Sequence, residues 1–337
     1  MKFLVIRFSS IGDIVLASPV LRTLKKQIIT SEVHFLTKAS FKIVTASNPY
    51  VDRFYYYDHN MDDLISRLKT ENYDYVIDLH RNFRSAKIKR ALGVQAYTIE
   101  KLNFKKFLLT RLRINLMPGR HITERSLDTV RRFGIRDDGL GLDYFIPDED
   151  KVKESDIPAS HHAGYIAVVI GASYKTKKMP VEKLKSLCAG IAHPVILIGG
   201  PEDRQEGEAI AAADPVKIYN ACGKFNLNES ADLVRRSKLV ISHDTGLQYI
   251  ACAFNKTVLA LWGSTSPKLD VEPWYGSVFS ASREETPYEN ILVPGLPCQP
   301  CSKYGNKKCP LGHFHCMKKM DVDQIIKRAE RRLGISN

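Results

Sequence analysis

The sequence has no long apolar run. Nothing in its 337 residues approaches the roughly 20 that a spanning helix needs. The apolar segment within MKFLVIRFSSIGD is short and is interrupted by Arg7, which argues against a secretory leader and for a cytoplasmic protein. The commonest nucleotide-binding signatures are also missing. No G-x-G-x-x-G follows the first strand-like segment and no G-x-x-x-x-G-K-[ST] occurs, so simple dehydrogenase and P-loop readings are disfavoured. Repeats and low-complexity tracts are absent. Seven cysteines, with no sign of export, read as thiols or metal ligands and not as a disulfide framework. Acids are scarce in one place: residues 81–120 hold eleven Lys/Arg and a single acid, Glu100. Such a run is either a solvated helical face or a surface for an anionic partner, whether nucleic acid, acidic membrane or phosphorylated substrate. A nucleic-acid reading is disfavoured by the lack of recognised modules and of interleaved stacking aromatics.

What is present suits a folded α/β protein of two domains. The chain is too long for one ordinary core, and 44% hydrophobic with 26% charged residues is a globular composition. Strand-like runs at residues 3–7, 32–37, 53–57 and 73–78 alternate with helical spacings at 14–27, 41–47 and 61–70, which predicts βαβ units and a parallel sheet. Pro19 falls inside the first helical pattern, so that helix bends or begins there. Helical segments near 84–92, 104–112 and 122–133 carry most of the basic stretch. Residues 146–163 are polar, hold two prolines and read as a linker. A second alternating series follows from Tyr165 to Leu261. The expected domains are therefore 1–150 and 151–320, facing each other across a cleft. The chain closes with an amphipathic helix over 321–333, capped by Asp321.

Several turns between these elements carry chemistry. Asp244-Thr245-Gly246 joins a β-branched strand to a short helix, an arrangement that suits a phosphate or is simply an N-cap. Gly263-Ser264-Thr265-Ser266-Pro267 brings hydroxyls to the same sheet edge. Gly171-Ala172-Ser173 leads to Lys175, Lys177 and Lys178, a turn that fits a diphosphate or begins an ordinary basic helix. Glu202 and Asp203, after Gly199-Gly200, are candidates for ribose hydroxyls or for capping. Asp13 sits in Ser-Ser-Ile-Gly-Asp after the first strand. It is a cap by default, but from the carboxyl end of that strand it could serve as a general base. The tail spaces Cys298, Cys301, Cys309 and Cys316 with His313 and His315 inside the last interval, which allows either structural zinc or reduced thiols. Cys188, Cys222 and Cys252 read as core.

RFSSIGDIVLASPVLRTLKK and SHDTGLQYIACAFNKTVLALWGSTSP, with GASYKTKKMP and GGPEDR between them, resemble the bacterial ADP-heptose:lipopolysaccharide heptosyltransferases of glycosyltransferase family 9. The cysteine-rich tail resembles members that add the second heptose. The resemblance spans essentially the whole chain. It implies a GT-B fold of two Rossmann-like domains, with acceptor on the first and donor on the second, and a last helix that crosses back to the first. It implies inverting transfer from an ADP-sugar without an obligatory cofactor, to a Kdo-lipid A-type acceptor at the cytoplasmic face of the inner membrane. The family's catalytic carboxylate falls on Asp13. Donor contacts fall on Ser173, Lys177, Glu202, Asp203, Asp244, Thr245, Gly246, Leu247 and Tyr249; the expected acceptor contacts are Ser10 and Gly12 of the first motif and Arg81, Arg84 and Arg120 of the basic stretch. Two departures bear on the donor sugar: Tyr249 stands where many members have His, and Met179 where many have Trp. Alternatives are transfer of another nucleotide sugar, or nucleotide-sugar binding without catalysis.

Overall fold

The computed structural model describes residues 1–282 and 285–334. Its first half is a parallel sheet of β1 (Lys2–Ile6), β2 (Glu32–Lys38), β3 (Arg53–Tyr57), β4 (Tyr75–Asp78) and β5 (Gln95–Thr98), ordered β3-β2-β1-β4-β5. The second half pairs β6 (Ile166–Val169), β7 (Val195–Ile198), β8 (Ile218–Asn220), β9 (Leu239–His243), β10 (Val258–Leu261) and β11 (Tyr288–Ile291), ordered β11-β10-β9-β6-β7-β8 and again parallel. The central strands are buried end to end, as expected for strands covered by helices on both faces. Both sheets reverse winding direction beside their first strand, between β1 and β4 and between β6 and β9. At such switch points the loops leaving the carboxyl ends part and open a crevice. The segments that leave these four strands carry Asp13, Arg81, Lys177 and Asp244.

Most anticipated elements are present. Ile14–Gln27 divides into helices Ile11–Val15 and Ser18–Gln27, with Pro19 in the first turn of the second, where its missing N–H costs nothing. Neither β5 (QAYT) nor β11 (YENI) was anticipated: each is a short edge strand without an apolar run. Residues 146–163 are not a free linker. Val152 and Ile157 are buried, and the Val152 N–H donates to Asp232 Oδ2 at 3.1 Å, so the segment is laid along the second half. A second crossing ties the halves further on, where Ile122 N–H donates to Asp270 O at 3.0 Å and the His121 ring stacks on Trp274.

The closing helix, Val322–Arg332, has its cap as expected, with Asp321 Oδ1 accepting from Gln324 N–H at 3.1 Å. Its position corrects the expectation that it crosses to the first half. Ile325 and Ala329 bury their side chains in the core that Leu184 and Leu187 of helix Val181–Gly190 also enter. Arg328, Arg331 and Arg332 converge on Glu289 of β11. The apolar stripe and the basic stripe of this helix are thus both satisfied within the second half.

Candidate active site

Asp13 occupies the third position of helix Ile11–Val15, directly after β1. Its Oδ2 accepts from the Ser10 N–H (3.1 Å) and the Ser10 hydroxyl (2.8 Å), while Oδ1 lies 2.5 Å from the Arg7 guanidinium. Burial alone would raise its pKa. The Arg7 charge, with both Ser10 donors, outweighs burial and holds the carboxyl at about 2. Arg7 is itself buried and is anchored by the carbonyls of Ser9 and Leu79. Asp13 is therefore a fixed, ionised, partly accessible carboxylate at the mouth of the first sheet.

Helix Gly246–Ala253 begins after β9 with Thr245 as its N-cap residue. The Thr245 hydroxyl and both amide atoms of Gln248 are buried and have no hydrogen-bond partner among the described residues. Asp244 shapes the turn beneath them: its Oδ2 accepts from the Thr265 hydroxyl at 2.8 Å and pairs with Lys177 Nζ at 2.7 Å. Lys177 also donates to the Asp244 carbonyl at 3.1 Å. The Lys177 loop is pinned from beneath by His243, whose Nε2 accepts the Met179 N–H at 2.9 Å. Burial, with the Lys178 charge adding, pushes the His243 pKa down to about 4, so this acceptor stays neutral near pH 7. Helix-start N–H groups, an unpartnered hydroxyl and a lysine that now ends on Asp244 are groups with the chemistry to take phosphate oxygens.

These two helix starts meet across the halves, with the Ile11 side chain and the Tyr249 ring packed at the contact. A Cβ added to Gly246 would lie 2.5 Å from Ile11 Cγ2 and 3.2 Å from Gly12 N, and one added to Gly12 would lie 2.7 Å from the Tyr249 ring. Both glycines are there for approach distance, not for backbone conformation. Tyr249 is accordingly not presented to a sugar: it is buried against Gly12, and its hydroxyl donates to Val271 O at 2.6 Å. Leu247 packs at the edge of the same core.

The structure separates the two acids that follow β7. Asp203 is buried, accepts from the Gly200 N–H at 2.9 Å and pairs with Lys178 at 2.8 Å. That makes it a support under the loop and not a ribose ligand. Glu202 is exposed, with its carboxylate folded over Gly200, and is the accessible acid of the pair. Ser173 is exposed on the loop after β6, and Met179 is core.

On the first half, Ser10 and Gly12 belong to the Asp13 turn. The Arg81 N–H donates to Asp78 Oδ1 at 2.7 Å, and the Arg84 guanidinium lies over the Tyr57 ring at 5.6 Å. Arg120 is turned to Asp128 (2.9 Å), which removes it from the front rank of acceptor cations. Sequence reading missed closer ones. Burial lowers the pKa of Lys101, helped by Arg7, and brings that of Lys106 down to about 8, helped by Arg125; the Asp13 charge opposes both shifts. Both lysines lie in the basic stretch, which was the available signal. His80 gave none. It packs edge-on against Phe8, and burial with the Arg7 charge takes its pKa down to about 4. The stretch also corrects its own description, since Phe83, Phe104 and Phe107 stand exposed among its cations.

Comparisons with known proteins agree with this fold. The lipopolysaccharide heptosyltransferase 1 of Campylobacter coli is 25% identical over 99% of both chains. The E. coli ADP-heptose LPS heptosyltransferase II superposes with a TM-score of 0.71 at 18% identity, covering 99% of this chain and 98% of its own. E. coli heptosyltransferase WaaC with ADP gives 0.69 at 17% identity, covering 98% and 100%. Both solved structures share the GT-B fold. The family model for glycosyltransferase family 9 (heptosyltransferase) matches residues 61–291, and the chain belongs to that family.

Proposed function

We propose that this enzyme transfers a heptose from ADP-heptose to the Kdo/heptose inner core of lipopolysaccharide, with inversion at the anomeric carbon. The observation that carries the reading is the contact of Gly12 with Gly246, which sets a carboxylate opposite a phosphate-seeking helix start. ADP lies with its diphosphate on the Thr245–Gly246 N–H groups, the Thr245 hydroxyl and Lys177, and Ser173 and Glu202 reach its outer atoms. The acceptor hydroxyl approaches from the Asp13 side and attacks as the bond to ADP breaks. The transition state is oxocarbenium-like, by analogy with glycoside hydrolysis. With its pKa near 2, Asp13 is a weak base in the ground state. Its task is to hold the hydroxyl hydrogen and accept the proton late, once bonding to carbon has made the oxygen acidic. Charge growing on the leaving diphosphate is met by Lys177 and the helix N-terminus.

The basic stretch gives the acceptor its seat. Arg81, Arg84, Lys101 and Lys106 would meet lipid A phosphates and the carboxylates of core sugars. Exposed Phe104, Phe107, Leu112, Ile114 and Leu116 lie between cations, a composition suited to peripheral attachment at an anionic membrane face. Among the described residues no helix is long and apolar enough to cross a membrane. The test is ADP release from candidate ADP-sugars with and without a Kdo-containing acceptor. Acceptor-dependent release with ADP-heptose is the expected result. Donor binding without release would reduce the protein to a nucleotide-sugar binder, and preference for another ADP-sugar would overturn the choice of heptose.

A further inference from the structure

Residues 292–314 contain no helix or strand, although they cover the back of the donor turns. A segment of that length without regular structure needs something besides a core to hold its shape. Its contacts are specific. Cys301 N–H and Ser302 N–H both donate to Ser264 O, at 3.0 and 3.1 Å. Gln299 Nε2 donates to the carbonyls of Trp262, Gly263 and Thr265. Asn306 N–H donates to the Thr176 hydroxyl at 2.7 Å, one residue before Lys177. Across the cleft, Arg113 donates to Pro300 O. This segment therefore holds the Lys177 loop through Thr176 and the 263–267 loop, whose Thr265 hydroxyl in turn donates to Asp244.

Cys298, Cys301 and Cys309 of the segment, with Cys316 from the short helix His315–Lys318 that follows it, all line one small cavity together with His313. All four are unpaired thiols. The cavity measures about 20 Å³, room for a single water-sized body. We propose that it is a tetrathiolate site for one soft divalent metal ion, zinc or ferrous iron, which staples the segment beneath the donor turns. Four sulfurs about 2.3 Å from one ion satisfy tetrahedral zinc or iron, and binding expels the thiol protons. No three of these sulfurs lie mutually within 4.8 Å among the described residues, so metal would draw the loop together around itself. Glu32, His34 and Glu71 do lie within that distance, but their atoms are committed to Lys2, Arg53, Tyr55 and Tyr73. His313 is not a ligand in this assignment: its Nδ1 accepts the His315 N–H at 3.0 Å.

The proposal goes beyond the transferase reading, and its test needs no donor or acceptor. The full chain, purified without a histidine tag or chelator, is analysed for metal and for accessible thiols. About one zinc or iron per chain is expected, with a thiolate-to-iron absorption band in the iron form and none in the zinc form. Cys309→Ser should lower metal affinity at least about tenfold and lower the melting temperature, while His313→Gln keeps both. Metal removal should also weaken ADP binding through Ser264 and Thr176. The proposal is overturned if reduced, metal-free protein offered zinc(II) or iron(II) under anaerobic conditions takes up neither and keeps all four thiols titratable. Retention of full metal by Cys309→Ser would overturn it equally. Failure of ADP-heptose as donor would leave both readouts untouched.

Discussion

On the wall of the cleft built by the second sheet, Lys177 and Lys178 end on carboxylates of their own half, 2.7 Å from Asp244 and 2.8 Å from Asp203. On the wall built by the first sheet, Arg84 rests on an aromatic ring and Lys106 is crowded by Arg125. The wall proposed for the donor is a mould whose lysines are paired internally, while the Thr245 hydroxyl and the Gln248 amide have no partner among the described residues. The wall proposed for the acceptor is a field with a surplus of positive charge, although Lys87, Lys89 and Arg120 are paired with Asp62, Asp78 and Asp128. A mould selects by fit at short range, whereas a field attracts at a distance and is screened by salt. Asp13 stands between them with its charge already matched to Arg7.

The strongest way to break this division is Asp13→Asn. Turnover should fall by about 10²- to 10⁴-fold with ADP affinity unchanged, as read by single-turnover ADP release and calorimetry. Equal loss of donor binding would show that the walls are not separate. Lys177→Met should cost about 10²- to 10³-fold in kcat/KM and, by leaving Asp244 without its cation, should weaken ADP binding as well. Gly246→Ala should destabilise the chain by about 1–3 kcal/mol, because Ile11 has to move. An unchanged denaturation midpoint would mean that the halves do not meet this closely in solution.

A pH profile sharpens the comparison further. The carboxyl of Asp13 is lowered, so it stays charged as pH falls until about 2, and an acid limb in kcat between pH 4 and 7 should not come from it. Removing Arg7 takes away the largest lowering influence, so Arg7→Met should bring such a limb upward into the measurable range. The smallest effect is expected from salt. Raising ionic strength, or the double change Arg81→Glu and Arg84→Glu, should increase acceptor KM several-fold while donor Kd stays flat. Parallel weakening of both would erase the distinction between mould and field.

Much of the fold was legible in the sequence because buried parallel strands are continuous apolar runs, as in FLVIR and KLVIS. The edge strands QAYT and YENI were not, since pairing on one side decides them and no local pattern does. In the site, Asp13, Lys177 and the Asp244 turn stood out as polar residues placed directly after such runs. What remained hidden depends on distance across the chain. Asp203 and Glu202 are adjacent letters, and only folding shows that one is beneath the loop and the other above it. Arg7 reads as the end of a strand until its guanidinium is seen beside Asp13. Arg120 reads as one more free cation until Asp128 is found next to it. The closing helix has a plain amphipathic pattern, but nothing in that pattern names the surface it covers.

Tyr249 packed flat on Gly12 has a consequence for how sequences of this kind drift. The space that a larger residue at position 12 would need is the space the phenol ring fills, and the ring is held by its hydrogen bond to Val271. Positions 12 and 249 are therefore a single steric unit that spans the two halves. A relative with alanine or serine at the first should carry a smaller or differently tilted ring at the second. A Cβ added at position 12 should not be tolerated while the phenol keeps its place.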